Sequence, residues 1–278
     1  MGSPNFRDDN EFGGAVTDSI SDRELLIAAV RDAGAIAREG YASVSKSWEK
    51  SKGNPVTETD IAVDRFLNER LRAARTDYGW LSEETADTPE RLGSQRVFIV
   101  DPIDGTLAFI KRKAEFAVCA AVVDGGVVTS AAIYNPITEE LFAAVKGGGA
   151  TLNGAPIHVT DRRELEGCRM LVARDVIEHP AWPTPWPKME IGKRASIAYR
   201  MALVANGTYD AMMALSSKYE WDTSAGALIV AEAGGFATMH NGAALPFNQA
   251  VPTHRSLVCA GPAVHAAILA RTGHIKLP

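Results

Sequence analysis

The chain has 278 residues, of which 46% are hydrophobic and 23% are charged, and its formal net charge is −5. These values are typical of a globular protein with one large domain or two halves, and the negative charge argues against general binding of nucleic acid. No apolar run approaches the roughly 18 residues that a transmembrane helix needs. The cysteines are far apart in apolar segments, so we expect buried free thiols in a reducing cytoplasm at Cys119, Cys168 and Cys259.

The amino-terminal part is expected to contain a lead-in and two helices. Residues 1–17 are polar and have no apolar core, so they are predicted to be a disordered lead-in and not a signal peptide. A capping box at Ser21 begins a helix predicted over residues 22–41, whose apolar residues recur with helical spacing. A second capping box, from Thr57 to Asp60, begins another helix.

Four apolar segments that follow are predicted to be strands. Their ranges are 96–100, 116–123, 127–134 and 141–145. The Asp-Gly-Gly turn at residues 124–126 indicates that the second and third of these strands pair as an antiparallel hairpin, with the fourth in the same group. Pro102 cannot donate a ladder hydrogen bond and Gly105 permits a tight turn, so the first strand is expected to end near Asp101.

The second half of the chain alternates between helices and strands. The predicted helices cover 196–206, 222–233 and 263–271, and a predicted strand covers 257–260. The change of character after residue 156 predicts an N-terminal α+β half over 18–156 and a C-terminal α/β half over 157–278. This order of elements predicts a structure of layered sheets and helices.

Two carboxylates lie three residues apart in the segment from Asp101 to Thr106. Asp101 and Asp104 would repel one another unless a proton or a cation lay between them. Hard divalent cations prefer oxygen ligands, so Mg²⁺ is the natural candidate. The alternative is a turn that ends the strand and carries two solvated acids.

Further acidic residues accompany this segment. Glu83 and Glu84 follow a short apolar stretch, while Asp60 and Asp222 lie at the starts of predicted helices. An aspartate at a helix start has a structural explanation, because it caps amides and complements the helix dipole. Taken one at a time, these residues do not establish a site.

Taken together, these segments resemble the inositol monophosphatase superfamily. The resemblance runs from about residue 20 to residue 270, in the right order and spacing. Its motifs are Lys52 with Val56–Asp60, Ser82–Glu84, Asp101–Thr106 and Trp221–Gly226. It implies an α+β or α/β layered sandwich (αβαβα), the inositol monophosphatase-like (sugar phosphatase) fold, in agreement with the order of elements read above.

The resemblance also implies a metal centre with two to three Mg²⁺ ions, for which Mn²⁺ could substitute. The implied ligands of the first ion are Glu83, Asp101 and the Ile103 carbonyl, and those of the second are Asp101, Asp104 and Asp222. Asp60, with Glu83 acting through water, would support a weaker third ion. The implied catalytic residues are Glu83, Asp104 and Thr106.

Roles in water activation and substrate binding follow from the same resemblance. Thr106 matches the hydroxyl that, with Glu83, orients the attacking water, and no covalent intermediate is needed. The backbone amides of Gly105 and Thr106 would meet the phosphate. The implied substrate-binding residues are Gly105, Thr106, Ser196, Arg200 and Asp222.

The substrate is less strongly indicated, but several positions resemble the bisphosphate nucleotidase branch. The segment Phe109–Arg112 and the following Glu-Phe pair match that branch, as does Ser82. Leu215 stands where inositol phosphatases carry a substrate-contacting glutamate. Arg200 stands where nucleotidases carry a lysine, and it could hold a second phosphate bidentately. The alternative is that Arg200 is a solvated helix residue, and Ala195–Ser196 replaces the usual glycine there.

We therefore predict a Mg²⁺-dependent phosphomonoesterase that acts on a small phosphorylated substrate. The favoured substrate is adenosine 3′,5′-bisphosphate, which a 3′(2′),5′-bisphosphate nucleotidase converts to AMP and phosphate. The alternatives are an inositol-1-phosphate phosphatase and a family member with a non-catalytic regulatory binding role. The resemblance also implies inhibition by Li⁺, with a homodimer as one expected form. The cysteine usage predicts a cytoplasmic protein, and the negative net charge predicts no nucleic-acid partner.

Overall fold

The computed structural model describes residues 12–43, 45–51 and 53–277, with side chains from Asp22 onwards. The helices are α1 Phe12–Ala42, α2 Glu58–Ala74, α3 Thr106–Ile110, α4 Arg174–Ile177, α5 Ile197–Ala205, α6 Glu220–Glu232 and α7 Pro262–Thr272, with a 3₁₀ helix at Pro89–Gly93. The first nine strands are β1 Ser47–Ser51, β2 Asn54–Thr57, β3 Gly79–Ser82, β4 Arg96–Asp104, β5 Ala117–Asp124, β6 Val127–Asn135, β7 Glu140–Val145, β8 Ala150–Leu152 and β9 Ala155–Pro156. The others are β10 Arg169–Leu171, β11 Glu190–Gly192, β12 Ala211–Ala214, β13 Lys218–Tyr219, β14 Phe236–Thr238, β15 Thr253–His254 and β16 Leu257–Ala260.

Helix α1 begins earlier than the sequence predicted. It begins at Phe12 rather than at residue 22, so Ser21 lies inside the helix and not at its start. Residues 12–17 of the expected disordered lead-in are therefore helical, and that part of the prediction is wrong. Once a helix is nucleated, each added residue costs little, so the helix extends past a local start signal. Residues 1–11 and Lys52 lie outside the described residues.

A seven-stranded sheet forms the first layer of strands. Its order is β3-β4-β5-β6-β7-β8-β9, with β3 and β4 parallel and each other neighbouring pair antiparallel. The predicted hairpin is confirmed, because β5 and β6 pair around the turn at Asp124–Val127. Helices α1 and α2 pack on one face of this sheet through one apolar cluster that includes Val30, Leu67 and Phe98.

Helices α5 and α6 cover the opposite face and separate this sheet from a second one. The second sheet has the order β11-β10-β12-β16-β14, and residues of both sheets join α5 and α6 in one buried cluster. Helix α7 packs on the outer face of the second sheet, where Val264 and Ile268 contact an apolar cluster. The layers therefore alternate helix, sheet, helix, sheet, helix, and the expected layered sandwich is confirmed.

The division of the chain into two halves is not sharp in the structure. The first sheet ends at Pro156 and the second begins at Arg169, but α5 and α6 from the second half pack against the first sheet. The division near residue 156 therefore stays a proposal. All three cysteines are buried and free, as expected. No helix among the described residues has the length and apolarity to cross a membrane.

Strand β4 continues beyond its predicted end. It runs through Pro102 to Asp104, and its register against β5 shifts after Asp101. Asp101 lies opposite Cys119 and Asp104 opposite Ala117, so β4 uses one more residue than β5 over this stretch. Pro102 lacks an N–H group, and a bulge is where a strand tolerates that loss. The proline thus marks an irregularity in the strand and not its end.

Candidate active site

The bulge in β4 places two aspartates on the same side of the sheet. In a regular strand, residues three apart point to opposite faces. Here the extra residue restores the same side, because Cys119 and Ala117 both lie in the cluster that α5 and α6 cover. Ile103 instead joins the cluster beneath α1 and α2. The chain therefore brings Asp101 and Asp104 together.

A third carboxylate joins them from the first turn of α6. One carboxylate oxygen each from Asp101, Asp104 and Asp222 lies within 4.8 Å of the others. Both carboxylate oxygens of Asp101 are buried without a hydrogen-bond partner. A buried anion without partners is costly, so this donor set fits a divalent cation with oxygen ligands. The grouping of these three predicted ligands supports the expected metal site.

The electrostatics of the three aspartates follow from their burial. Burial raises the pKa of Asp101, and the nearby charges of Glu83 and Asp104 raise it further. Burial and the charge of Asp104 raise the pKa of Asp222 to about 8. Burial raises the pKa of Asp104 to about 6, against hydrogen bonds that favour the charged form. Positive charge supplied at this point would reverse these shifts.

Asp104 is held at the start of α5. Ser196 caps this helix, as predicted, and its hydroxyl donates to Oδ2 of Asp104 over 2.5 Å. The backbone N–H of Ala198 donates to the same oxygen over 2.6 Å, and that of Ile197 donates to Oδ1 over 3.2 Å. These bonds fix the carboxylate across two layers of the fold. Ser196 thus positions a predicted metal ligand, while its predicted contact with substrate stays a proposal.

Asp60 and Thr106 form a second part of the site. The hydroxyl of Thr106 lies 3.0 Å from Oδ1 of Asp60 and 3.1 Å from the carbonyl oxygen of Ile103. Thr57 donates to Asp60 through both its backbone N–H and its hydroxyl, which confirms the predicted capping box. Burial raises the pKa of Asp60 to about 6, although these hydrogen bonds lower it.

Gly105 joins the strand to the helix that Thr106 begins. Its φ of 99° is left-handed, and a Cβ there would lie 2.9 Å from the carbonyl oxygen of Glu115. A side chain at residue 105 would therefore strain the turn and push against backbone. The turn places the Thr106 hydroxyl beside Asp60 and opens Gly105 and Thr106 to the cavity.

Glu83 lies at the edge of the same sheet because β3 runs parallel to β4. Asp64 on α2 anchors the segment that carries it, with Ser82 donating over 2.5 Å and Thr85 over 2.7 Å. The side chain of Glu83 accepts from the ammonium group of Lys50 over 3.0 Å. Glu84 accepts from the same lysine over 2.8 Å, and burial raises the pKa of Glu84 to about 7.

These groups open into a cavity of about 760 Å³. Of the predicted site residues, Glu83, Asp101, Asp104, Gly105, Thr106, Arg200 and Asp222 line it. Asp60 and Ser196 reach it only through their hydrogen bonds to Thr106 and Asp104. The cationic residues in its lining are Lys111, Lys113, Lys193, Arg194 and Arg200.

Arg200 and Leu215, which bear on the substrate, lie in different environments. Arg200 is not a solvated helix residue: its Nε donates to the Arg194 carbonyl oxygen over 2.6 Å. Burial lowers the pKa of Arg200, while the charges of Asp104 and Glu115 raise it. Leu215 packs against the apolar cluster on the outer face of the second sheet.

A sequence profile described as the inositol monophosphatase family matches residues 21–276. This chain belongs to the inositol monophosphatase family. Inositol-1-monophosphatase from Rhizobium meliloti (strain 1021) is 29% identical over 262 residues, which cover 88% of this chain and 93% of that protein. Nus factor SuhB from Pasteurella multocida (strain Pm70) is 30% identical over 255 residues, with coverage of 88% and 93%.

Solved structures agree on the fold of this family member. The extragenic suppressor protein suhB from Bartonella henselae matches with a TM-score of 0.77 and 26% identity, covering 92% of this chain and 100% of that chain. An IMPase from Thermotoga maritima matches with a TM-score of 0.78 and 25% identity, covering 91% and 96%. The inositol monophosphatase family is a phosphatase family that generally depends on Mg²⁺, so this protein is a hydrolase of phosphate esters.

Two residues of this phosphatase escaped the sequence reasoning. Nothing in the sequence indicated that Lys50 contacts the site, because a lysine in a polar segment is ordinarily solvated. Tyr219 directly precedes the Glu-Trp-Asp run of α6, and its ring stacks on Trp221 with centroids 4.5 Å apart. In the sequence, only the spacing of two aromatic residues two positions apart indicates that Tyr219 and Trp221 form a pair.

The arrangement defines what the chain's own groups can do. A divalent cation held by the three aspartates would offset the charge of a phosphate ester and acidify water. When the Thr106 hydroxyl donates its hydrogen to Asp60, its oxygen is able to accept one from water. Asp60 thereby orients the Thr106 hydroxyl, and Ser196 with the α5 amides keeps Asp104 in place.

Proposed function

We propose that this protein is a Mg²⁺-dependent phosphomonoesterase whose preferred substrate is a nucleotide bisphosphate such as adenosine 3′,5′-bisphosphate. The observation that carries the metal-dependent part is the buried carboxylate of Asp101, which lacks a hydrogen-bond partner beside Asp104 and Asp222. Water activated beside Thr106 would attack the phosphorus in line and release AMP and phosphate.

The charge of the cavity supports a substrate with a second phosphate. Its lining contains five carboxylates and five cationic side chains. Divalent cations bound to the aspartates would leave the cationic side chains with surplus positive charge, more than the dianion of one phosphate ester requires. An adjoining cavity of about 320 Å³ shares Lys193 and Arg200 with the main one and adds Arg174. A second phosphate between these residues would meet the charges of Arg174, Lys193 and Arg200, although Nε and Nη2 of Arg200 already donate to the Arg194 carbonyl oxygen.

The competing candidate is inositol-1-phosphate, because relatives of this chain are named inositol monophosphatase. Leu215 weighs against it, since this residue packs in an apolar cluster where the resemblance expects a glutamate that contacts inositol. The name Nus factor SuhB, which other relatives carry, supports the third candidate, a regulatory binding role. That role does not require the metal-binding set around Asp101.

A Mg²⁺-dependent substrate panel tests this proposal. Phosphate release would be measured with adenosine 3′,5′-bisphosphate, myo-inositol 1-phosphate and fructose 1,6-bisphosphate. We expect kcat/KM to be at least about tenfold higher for the nucleotide, which corresponds to roughly 1.4 kcal/mol of transition-state binding. A preference for inositol phosphate would overturn the substrate assignment, and no turnover of any ester would favour the regulatory role. Asp104→Asn is the inactive control.

The proposal also includes the response of the enzyme to other metal ions, which the family resemblance implies. Millimolar Li⁺ is expected to inhibit the enzyme by competing at a Mg²⁺ site, and Mn²⁺ is expected to replace Mg²⁺. Inhibition would be measured as phosphate release at fixed Mg²⁺ with increasing Li⁺. A homodimer is proposed on the same basis, and a cytoplasmic location is proposed from the three free cysteines.

A further inference from the structure

Beside the aspartates, the cavity has an aromatic surface that phosphate hydrolysis does not require. The rings of Tyr219 and Trp221 stack 4.5 Å apart between centroids and only 10° from parallel. Both residues line the cavity next to Asp222. Tyr219 is 49% exposed, one of the few large hydrophobic side chains with that exposure among the described residues.

The backbone holds this aromatic pair in a fixed position. Tyr219 lies in β13, whose residues pair with Thr253 and His254 of β15. Its backbone N–H donates to Oδ2 of Asp222 over 3.0 Å, and the N–H of Glu220 donates to the Pro252 carbonyl oxygen over 2.9 Å. Stacking on Trp221 also holds the Tyr219 ring, so little side-chain freedom is lost when a ligand packs on it.

The chemistry of this surface indicates its ligand. A half-exposed aromatic ring in a polar cavity leaves apolar surface in contact with water, and a planar heterocycle would cover it by stacking. Stacking tolerates any base, because every nucleobase has a π-face. One hydrogen bond links Tyr219 to the carboxylate of Asp222, so a ring stacked there would lie near the reacting phosphate.

We propose that the Tyr219–Trp221 pair is the stacking surface for the planar base of a nucleoside phosphate substrate. This inference rests on the proposed function for the reaction, and it adds the residues that select a base over a polyol. In this arrangement Tyr219 contributes ring area, and its hydroxyl is dispensable.

The kinetic test compares substrates that differ only in the base. These are adenosine 3′,5′-bisphosphate and its abasic analogue, 1,4-anhydroribitol 3,5-bisphosphate. Tyr219→Leu is expected to raise KM for the nucleotide about 5- to 30-fold, with kcat changed less than twofold. The abasic analogue is expected to show no change, and Tyr219→Phe, the matched control, is expected to behave as wild type. Equal losses on both substrates, or no loss on either, would overturn the proposal.

A binding test separates this proposal from the proposed function. AMP and ribose 5-phosphate would be titrated against wild type and both Tyr219 variants, with quenching of tryptophan fluorescence as the readout. AMP is expected to bind wild type and Tyr219→Phe at least about fivefold more tightly than ribose 5-phosphate, and Tyr219→Leu is expected to lose that difference. This result would hold even if the substrate panel favoured another ester. Equal affinity of wild type for the two ligands would refute the stacking role.

Discussion

Lys50 and Glu83 form an ion pair at the mouth of the acidic cluster, with the lysine Nζ 3.0 Å from Oε1 of the glutamate. The same nitrogen lies 2.8 Å from Oε1 of Glu84. The ammonium group of Lys50 is therefore paired with the carboxylate that the family resemblance assigns to a metal ion. Lysine and a divalent cation would compete for this oxygen.

Removing this competitor is expected to strengthen metal binding. Lys50→Gln should lower the dissociation constant for Mg²⁺ about two- to fivefold, the size expected for a partly exposed ion pair. Calorimetric titration of the metal-free protein would measure it. Lys46→Gln is the matched control, because Lys46 pairs with Glu58 at an exposed site. Unchanged or weaker binding by Lys50→Gln would contradict the competition.

The second prediction concerns the buried carboxylate of Asp101. Asp101→Asn removes a buried carboxyl group whose ionisation is opposed by burial and by two neighbouring carboxylates, so the metal-free variant is expected to melt at least about 2 °C above wild type, the shift that roughly 1 kcal/mol gives a chain of this size. The rise in melting temperature that Mg²⁺ gives wild type should disappear. Calorimetric melting with EDTA and with Mg²⁺ would show both effects. Asp32→Asn, at an exposed position on α1, should leave both unchanged, and a variant that keeps the Mg²⁺ response would refute the assignment.

The Thr106 hydroxyl is predicted to act in the chemical step. Thr106→Val keeps the shape of the side chain but removes the donor to Asp60, and kcat is expected to fall about 10²- to 10⁴-fold with little change in KM. Thr106→Ser retains the hydroxyl and should stay within about tenfold of wild type. Steady-state phosphate release would provide both constants. A valine variant with normal kcat would exclude this role.

A pH dependence of stability is expected from His254. Its Nε2 donates to the Pro246 carbonyl oxygen over 2.7 Å, so in the neutral ring Nδ1 is the acceptor that faces Thr223. Burial lowers the pKa of His254. Below about pH 6.5 the unfolded chain binds a proton that the folded ring resists, so the free energy of unfolding falls as the pH falls. Above that pH this loss is absent.

Urea denaturation between pH 7 and pH 5 would measure this effect in the metal-free protein. His254→Gln, which retains a donor for Pro246, is expected to lose less of its unfolding free energy over this range than wild type does. His274→Gln changes an exposed histidine and should keep the wild-type slope. Identical slopes for all three proteins would show that His254 does not titrate on unfolding.

The sequence predicted the parts of the site that are local. The capping box of Thr57 and Asp60 and the cap at Ser196 depend on residues two to three positions apart, and both are confirmed. The register of β4 against β5 and the partner of Lys50 depend on residues far apart in the chain. Local patterns carry no information about such pairings, so the bulge was interpreted as the end of a strand.

The family motifs identified the acidic residues but not how each is held. Asp101 lacks a protein partner, whereas Asp104 is bonded to the start of a helix from the other half of the chain. Both are aspartates that follow the same apolar run in the sequence, so nothing in their immediate neighbours distinguishes them. Only the packing of α5 against β4 separates their environments.

The bulge in β4 also changes what the main chain contributes. Ile103 has no register partner on β3 or β5, and its carbonyl oxygen lies 3.1 Å from the Thr106 hydroxyl oxygen. A regular strand with aspartates two residues apart would present both carboxylates but would commit its carbonyl groups to neighbouring strands. The inserted residue thus supplies an oxygen that adds no negative charge to a crowded acidic cluster. Side-chain substitution at residue 103 leaves that oxygen in place, whereas deletion of one residue between the aspartates would remove it.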